Sequence, residues 1–243
     1  MMVAVYISEE LSDKTLPYMN TRQSAQKRLH NAILAGDDMG VRTAIDDGAN
    51  VNLQLADGPL IHKALTSANT TIKTLSSLRK AGADINSSDR DGNNPLAIIP
   101  GSRVSDNMKL ARAVYLIEHG TSLNVQNNRG LTPLHYAARY HEQMLVTLYV
   151  YKGAIANVRD NRGRTALHWL VNYVVSLETA QRYCIERLVS GGAKLGQADD
   201  DGHVVSEQLG KMVDDPAWFE KLLRLAAGRH RKKRPTIPVD FVV

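Results

Sequence analysis

The chain is poor in cysteine and in aromatic rings, and each shortage excludes something. It has one cysteine, Cys184. No internal disulfide can form, so a reducing compartment is expected. Aromatic residues make up only 5%, which leaves the core to Leu, Val, Ile and Ala. No apolar run approaches the roughly 20 residues a membrane span needs. The start, MMVAVYISEELSDK, has no basic lead and meets Glu9 and Glu10 at once. That argues against a cleaved secretory signal, and a cytoplasmic location is expected, with the nucleus as the alternative. A phosphate-cradling glycine loop, a G-x-S-x-G elbow and a paired-cysteine motif are all missing. His141-Glu142 lacks the second histidine of a zinc protease. No catalytic centre, metal or cofactor is expected.

Positive charge is present, but in one place. The formal net charge is +5. Lys221, Arg224, Arg229, Arg231, Lys232, Lys233 and Arg234 follow one another with no acid among them. They account for more than the whole excess, so the body of the chain is nearly neutral. A nucleic-acid binder more often spreads its basic residues along a face.

What the chain has in abundance is self-similarity. One phrase returns as GANVN from Gly48, GADIN from Gly82, GTSLN from Gly120, GAIAN from Gly153 and GAKLG from Gly192. The glycines are 34, 38, 33 and 39 residues apart. A second phrase recurs out of phase: LHNA at Leu29, LIHKA at Leu60, NPLAII at Asn94, TPLHYAA at Thr132 and TALHWL at Thr165. Between the two phrases the apolar rhythm is helical, as in Leu134, Ala137 and Ala138 and then Leu145, Leu148 and Tyr149. Each unit reads as a turn, a short helix, a second helix and a glycine stop. Thr132 caps the first helix, Pro133 takes the first helical position, and Gly153 sits where the second helix must turn left-handed.

These residues resemble the ankyrin-repeat family. The clearest stretch is NNRGLTPLHYAARYHEQMLVTLYVYKGAIAN, Asn127 to Asn157, which departs at His141, where the family usually has glycine. DNRGRTALHWL is nearly as clear. Two other units are degenerate, with Pro59 out of place and Ala97 instead of histidine. The resemblance runs from about Ser24 to about Gly228. It implies an all-α ankyrin-repeat solenoid of helix-turn-helix units with short β-turn fingers. One unit cannot bury its apolar face alone, so neighbours must complete the core. The expected domains are an N-terminal extension at 1–23, about five or six repeats at 24–228 and a basic tail at 229–243. The two long units place extra residues between paired helices, near Pro100 to Asp106 and near Val174 to Ala180. These read as loop growth, with a second contact surface as the sharper alternative. Asp215 and Pro216 start a closing helix whose stripe is Trp218, Leu222 and Leu225, joined by Phe219, Leu223 and Ala226.

His30, His62, His135 and His168 share one slot. Equal spacing along a solenoid does not converge ligands on a metal, and the resemblance makes that histidine a bridge between neighbouring turns. Asp89-Arg90-Asp91-Gly92 and Asp199-Asp200-Asp201-Gly202 look like calcium-loop starts. The first lacks the closing acid such a loop needs; both read as finger turns. Cys184 lies in an apolar helical run and reads as inert core. The resemblance also puts Asn86 and Asn124 in the slot modified by an asparaginyl hydroxylase in some ankyrin proteins.

What remains for function is surface. The resemblance implies a non-enzymatic protein-protein interaction module (a scaffold, an inhibitor or an effector), with partners docking on finger tips and first helices, the concave side. There the two best units carry Arg129, Tyr136, Arg139, Tyr140, Arg162, Arg164 and Trp169, residue types enriched at interface hot spots. An acidic or phosphorylated partner is expected. Tyr136 and Trp169 could instead pack between repeats. The tail residues Arg229, Arg231, Lys232, Lys233 and Arg234 leave open a solvated tail, a nuclear import signal or a contact with nucleic acid or an anionic membrane. A nucleic-acid-associated regulator is the second reading. An enzyme hidden in residues 1–23 or 229–243 ranks last, since neither stretch is long enough to build a site.

Overall fold

The repeated glycines are where the helices stop. The computed structural model describes residues 24–56, 58–172 and 177–228. Twelve helices occur among them: α1 (24–35), α2 (Asp38–Asp46), α3 (Leu60–Thr66), α4 (Ile72–Lys80), α5 (Pro95–Ile98), α6 (Asp106–Glu118), α7 (Pro133–Arg139), α8 (Gln143–Tyr151), α9 (Ala166–Val171), α10 (Thr179–Ser190), α11 (Val205–Met212) and α12 (Pro216–Ala227). Gly48, Gly82, Gly120, Gly153 and Gly192 follow the ends of α2, α4, α6, α8 and α10, all with φ between 85° and 105°. Only glycine enters that region without strain. The next residue then bonds back five positions, as Ala154 N–H donates to Tyr149 O at 2.8 Å. This satisfies carbonyls the helix end would orphan. Among the described residues strand is limited to β1 (Gln54–Leu55) and β2 (Gly58–Pro59), an antiparallel pair, and a lone bridge between Ala198 and Val204. The N-terminal extension and the basic tail with Arg229, Arg231, Lys232, Lys233 and Arg234 lie outside the described residues.

The chain divides into two compact units, Met1–Ile85 and Asn86–Val243. In the first, α4 packs on α2 and α3. Asp37 caps α2 by accepting the N–H groups of Met39 and Gly40, and Thr71 caps α4 through Thr74 N–H. Pro59 stands at the N-cap of α3, one place before its usual position, and gives that helix no side-chain cap.

The second unit is a stack of helix pairs. The first helices α5, α7, α9 and α11 pack in succession, and so do the second helices α6, α8, α10 and α12. All six residues of α9 are buried. Such burial stabilises by roughly 1.5–3 kcal/mol per large apolar side chain. The insertions fall between paired helices, and part of each becomes helix: α6 has 13 residues and α10 has 12, against 9 in α8. The second insertion includes residues 173–176, which lie outside the described set.

Two apolar expectations need correction. Leu148 is half-buried, and Val146 takes the inward place beside Leu145 and Tyr149. In α12 only Leu222 is buried; Trp218, Phe219, Leu225 and Ala226 are half-buried and Leu223 is 42% exposed. A helical rhythm names the apolar side, but α12 meets only α10 among the second helices, so half of its stripe stays uncovered.

Candidate partner-binding surface

The surface is built on four fingers that repeat one hydrogen-bond design. Asp89, Asn127, Asp160 and Asp199 each open a finger. Each uses its side-chain Oδ1 to accept the N–H groups two and four residues on, at 2.8–3.1 Å. Gly92, Gly130, Gly163 and Gly202 close the turns at positive φ. The fingers then join one another through the backbone. Asn128 N–H donates to Asp91 O at 2.9 Å, Asn161 N–H to Arg129 O at 3.0 Å and Asp200 N–H to Arg162 O at 3.1 Å. This is how both aspartate clusters are used. Asp199, Asp201 and His203 sit close enough to suggest a metal, yet Asp199 is occupied by the turn it forms and by His203 Nδ1 at 3.2 Å. Burial works to raise the Asp199 carboxyl; the bonds from His203 and Asp201 outweigh it and hold it below the usual carboxylate range.

The shared histidine slot links α7 and α9 each to the next finger. Thr132 and His135 form a capping box at the start of α7. Thr132 N–H donates to His135 Nδ1 at 3.0 Å, and Thr132 Oγ1 lies 2.8 Å from the same nitrogen. Nδ1 is therefore the acceptor, and Nε2–H points at Arg164 O, 3.3 Å away. Thr165 and His168 repeat the arrangement at α9, with Nε2 directed at His203 O at 3.2 Å. Burial lowers the His135 pKa to about 4 and also lowers that of His168. Both rings are held neutral as structural bridges. Where Ala97 replaces this histidine, Asn94 stands in. Its Oδ1 accepts Ala97 N–H at 3.1 Å, and its Nδ2 donates to Ser122 O at 2.7 Å. Composition gave no signal for that substitute; it shows only once the turn after α6 is placed beside α5. A parallel series ties second helices together. Asn124 bonds Gly153 O and Ile155 N–H, and Asn157 bonds Gly192 O and Lys194 N–H.

The seven expected contact residues fall into two layers. Tyr136 and Trp169 lie below the surface at 9% and 5% exposure, clustered with Ala97 and Leu131. Tyr136 OH donates to Asn93 Oδ1 at 2.9 Å and accepts from Asn127 and Arg129. Trp169 Nε1–H donates to Asp160 Oδ2 at 2.8 Å. These two aromatic rings are thus foundation rather than contact surface, because each hydroxyl or N–H finds its partner inside the finger layer. Above them, Arg139 and Arg164 stack on the Trp169 ring at 5.1 and 4.2 Å. Arg164 is also paired with Asp160 at 2.9 Å. Burial pushes the Asp160 carboxyl up, but the bonds from Arg164, Arg162 and Trp169 prevail and keep it ionised. Arg129, Tyr140 and Arg162 are exposed, Tyr140 at 47%. The first insertion supports Tyr140: a side chain added at Gly101 would come within 3.1 Å of its ring.

Away from this face, Cys184 is fully buried on α10 and desolvation pushes its thiol up to about 12, so it is not a nucleophile. On the second-helix side, Lys109 and Glu142 form a largely buried ion pair between α6 and α8. No helix among the described residues is long and apolar enough to cross a membrane.

The stacked helix pairs, the finger turns and the histidine bridges are those of an ankyrin-repeat fold. Residues 103–199 match the family model described as ankyrin repeats in three copies. A crystal structure of an ankyrin repeat domain from Acinetobacter baumannii AYE superposes with a TM-score of 0.69 at 23% identity, covering 82% of this chain and 97% of that one. No curated protein matches the chain. The chain has an ankyrin-repeat fold, with three repeats matched over residues 103–199, and repeats of this kind are in general protein-protein interaction modules.

Proposed function

We propose that this protein is a non-enzymatic interaction module that holds a partner protein on the finger and first-helix side of α7 and α9. A scaffold, an inhibitor and an effector are the forms this role would take. One observation carries the reading. Arg129 and Arg162 stand exposed on neighbouring fingers, Arg139 and Tyr140 stand at the end of α7, and the fingers beside them are joined by backbone hydrogen bonds above buried rings. Arginine and tyrosine on a pre-ordered base lose little entropy on binding and form the usual anchors of an interface. The charge favours an acidic or phosphorylated partner.

The test is the double variant Arg139→Ala/Tyr140→Ala. It should abolish partner capture while the far-UV circular dichroism stays that of the parent; retained capture discards the reading. The second reading, a nucleic-acid-associated regulator, rests on the basic run Arg229 to Arg234. Salt-dependent RNA or DNA binding that disappears when those residues are deleted would favour it.

A further inference from the structure

We propose that the finger edge of the second unit selects an extended acidic segment of its partner through a fixed row of four charges, a reading that rests on the protein-binding role above. The row is set by backbone, not by flexible side chains. Asp91, Arg129 and Arg162 are the residues whose carbonyls accept the N–H of the following finger, at 2.9, 3.0 and 3.1 Å. Asp201 holds the equivalent place in the last finger, two residues after the turn-opening Asp199. The order along the edge is therefore acid, base, base, acid, and all four residues are exposed.

The two central cations are uncompensated. Arg162 bonds its neighbours only through its backbone, and the guanidinium of Arg129 touches the Tyr136 hydroxyl at 3.1 Å rather than a carboxylate. Beside the two central fingers the other arginines are already paired, Arg159 with Asp200 at 2.7 Å and Arg164 with Asp160 at 2.9 Å, while Arg90 stands exposed beside Asp91 in the first finger. Two free guanidinium forks on separate fingers suit two carboxylates, one each. A phosphate dianion is best held by several cations converging on one point, and here Arg159 and Arg164 are already paired with carboxylates. Asp91 and Asp201 then act as gates. They repel a segment whose negative charge runs on past the centre and favour one with basic ends, which is specificity by like-charge rejection. A uniformly negative polymer such as nucleic acid is rejected at both ends.

The experiment uses the full chain and five probes: a short synthetic peptide with two aspartates between lysine ends, the same peptide with alanine ends, a charge-inverted twin, a version with phosphoserine in place of the aspartates, and a single-stranded DNA oligonucleotide. Binding is followed by NMR titration of amide and arginine side-chain signals. The acid-centred peptide should bind with Kd of about 1 mM or better and about tenfold more tightly than its inverted twin. Arg129→Glu/Arg162→Glu should reverse that order. Asp91→Lys/Asp201→Lys should erase the advantage of lysine ends over alanine ends. No binding of the acid-centred peptide, tighter binding of the phosphoserine peptide or the DNA, or an order unchanged in Arg129→Glu/Arg162→Glu overturns the charge row. If peptides still perturb Arg139 and Tyr140 but without charge preference, the row fails and the interaction surface stands. If only signals elsewhere move, both fail.

Discussion

The middle of the second unit and its last helix pair are made from the same plan but are not equally secured. Helix α9 has neighbours on both sides, α7 and α11, and buries all six of its residues. Helix α12 has α10 alone among the second helices and buries only Leu222. The bridges differ in the same direction. Thr165 and His168 form a capping box at α9, whereas Val204 at the start of α11 has no side-chain cap. Asn157 ties its turn to the next, while Gly196 stands in that slot in the closing pair and offers no amide. In a repeat protein each pair is stabilised mainly by its interfaces, so a pair with one interface opens at lower free energy.

The sharpest way to break this comparison is Trp169→Ala. It removes a buried ring, takes one of several hydrogen bonds from the Asp160 carboxylate and removes the surface on which Arg139 and Arg164 stack. A loss of about 3–5 kcal/mol is expected, read as a lower urea midpoint. A loss under about 1 kcal/mol would mean the middle is no better packed than the end.

Acid is the next largest probe. His135 has a folded-state pKa of about 4, below the ordinary value of 6.5. The unfolded chain therefore binds the extra proton more readily. The stabilisation from this neutral ring is complete above pH 6.5 and is lost as the pH falls from there towards 4, on the order of 3 kcal/mol. His168 acts in the same sense. Thermal melts at a series of pH values should show this slope in the parent and a shallower one in His135→Gln.

The smallest change should be a gain. His141 follows α7 with φ of 56°, the sole non-glycine at positive φ among the described residues, and its Nε2 is buried without a partner. Gly36 fills the comparable place after α1 with φ of 73°. His141→Gly should therefore stabilise the protein by about 1 kcal/mol, relief of left-handed strain exceeding the extra unfolded-state freedom. An unchanged or lower melting temperature would show that the strain is relieved elsewhere.

Much of the repeat was legible in the residues because its signals are local. The glycine stops, the finger turns, the Thr-His slot and the Asp215-Pro216 helix start each depend on a few adjacent residues and their backbone needs. Burial was less legible. Leu148 and Val146 both lie on apolar arcs of α8, and α6 and α10 decide which of them turns inward. Tyr136 and Trp169 looked as suited to a partner as Tyr140 did. What separates them is that Asn93 and Asp160, distant or on another element, reach their polar atoms.

The sequence by itself determined the period, the places where helices begin and end, and the likeness to ankyrin repeats, since capping, glycine geometry and apolar rhythm act over one or two turns of chain. Only the tertiary structure decided which rings are covered, which arginines are already paired and which four charges stand in one row. Those properties arise between fingers some 33 to 39 residues apart, where backbone hydrogen bonds set a register that no single stretch of residues contains.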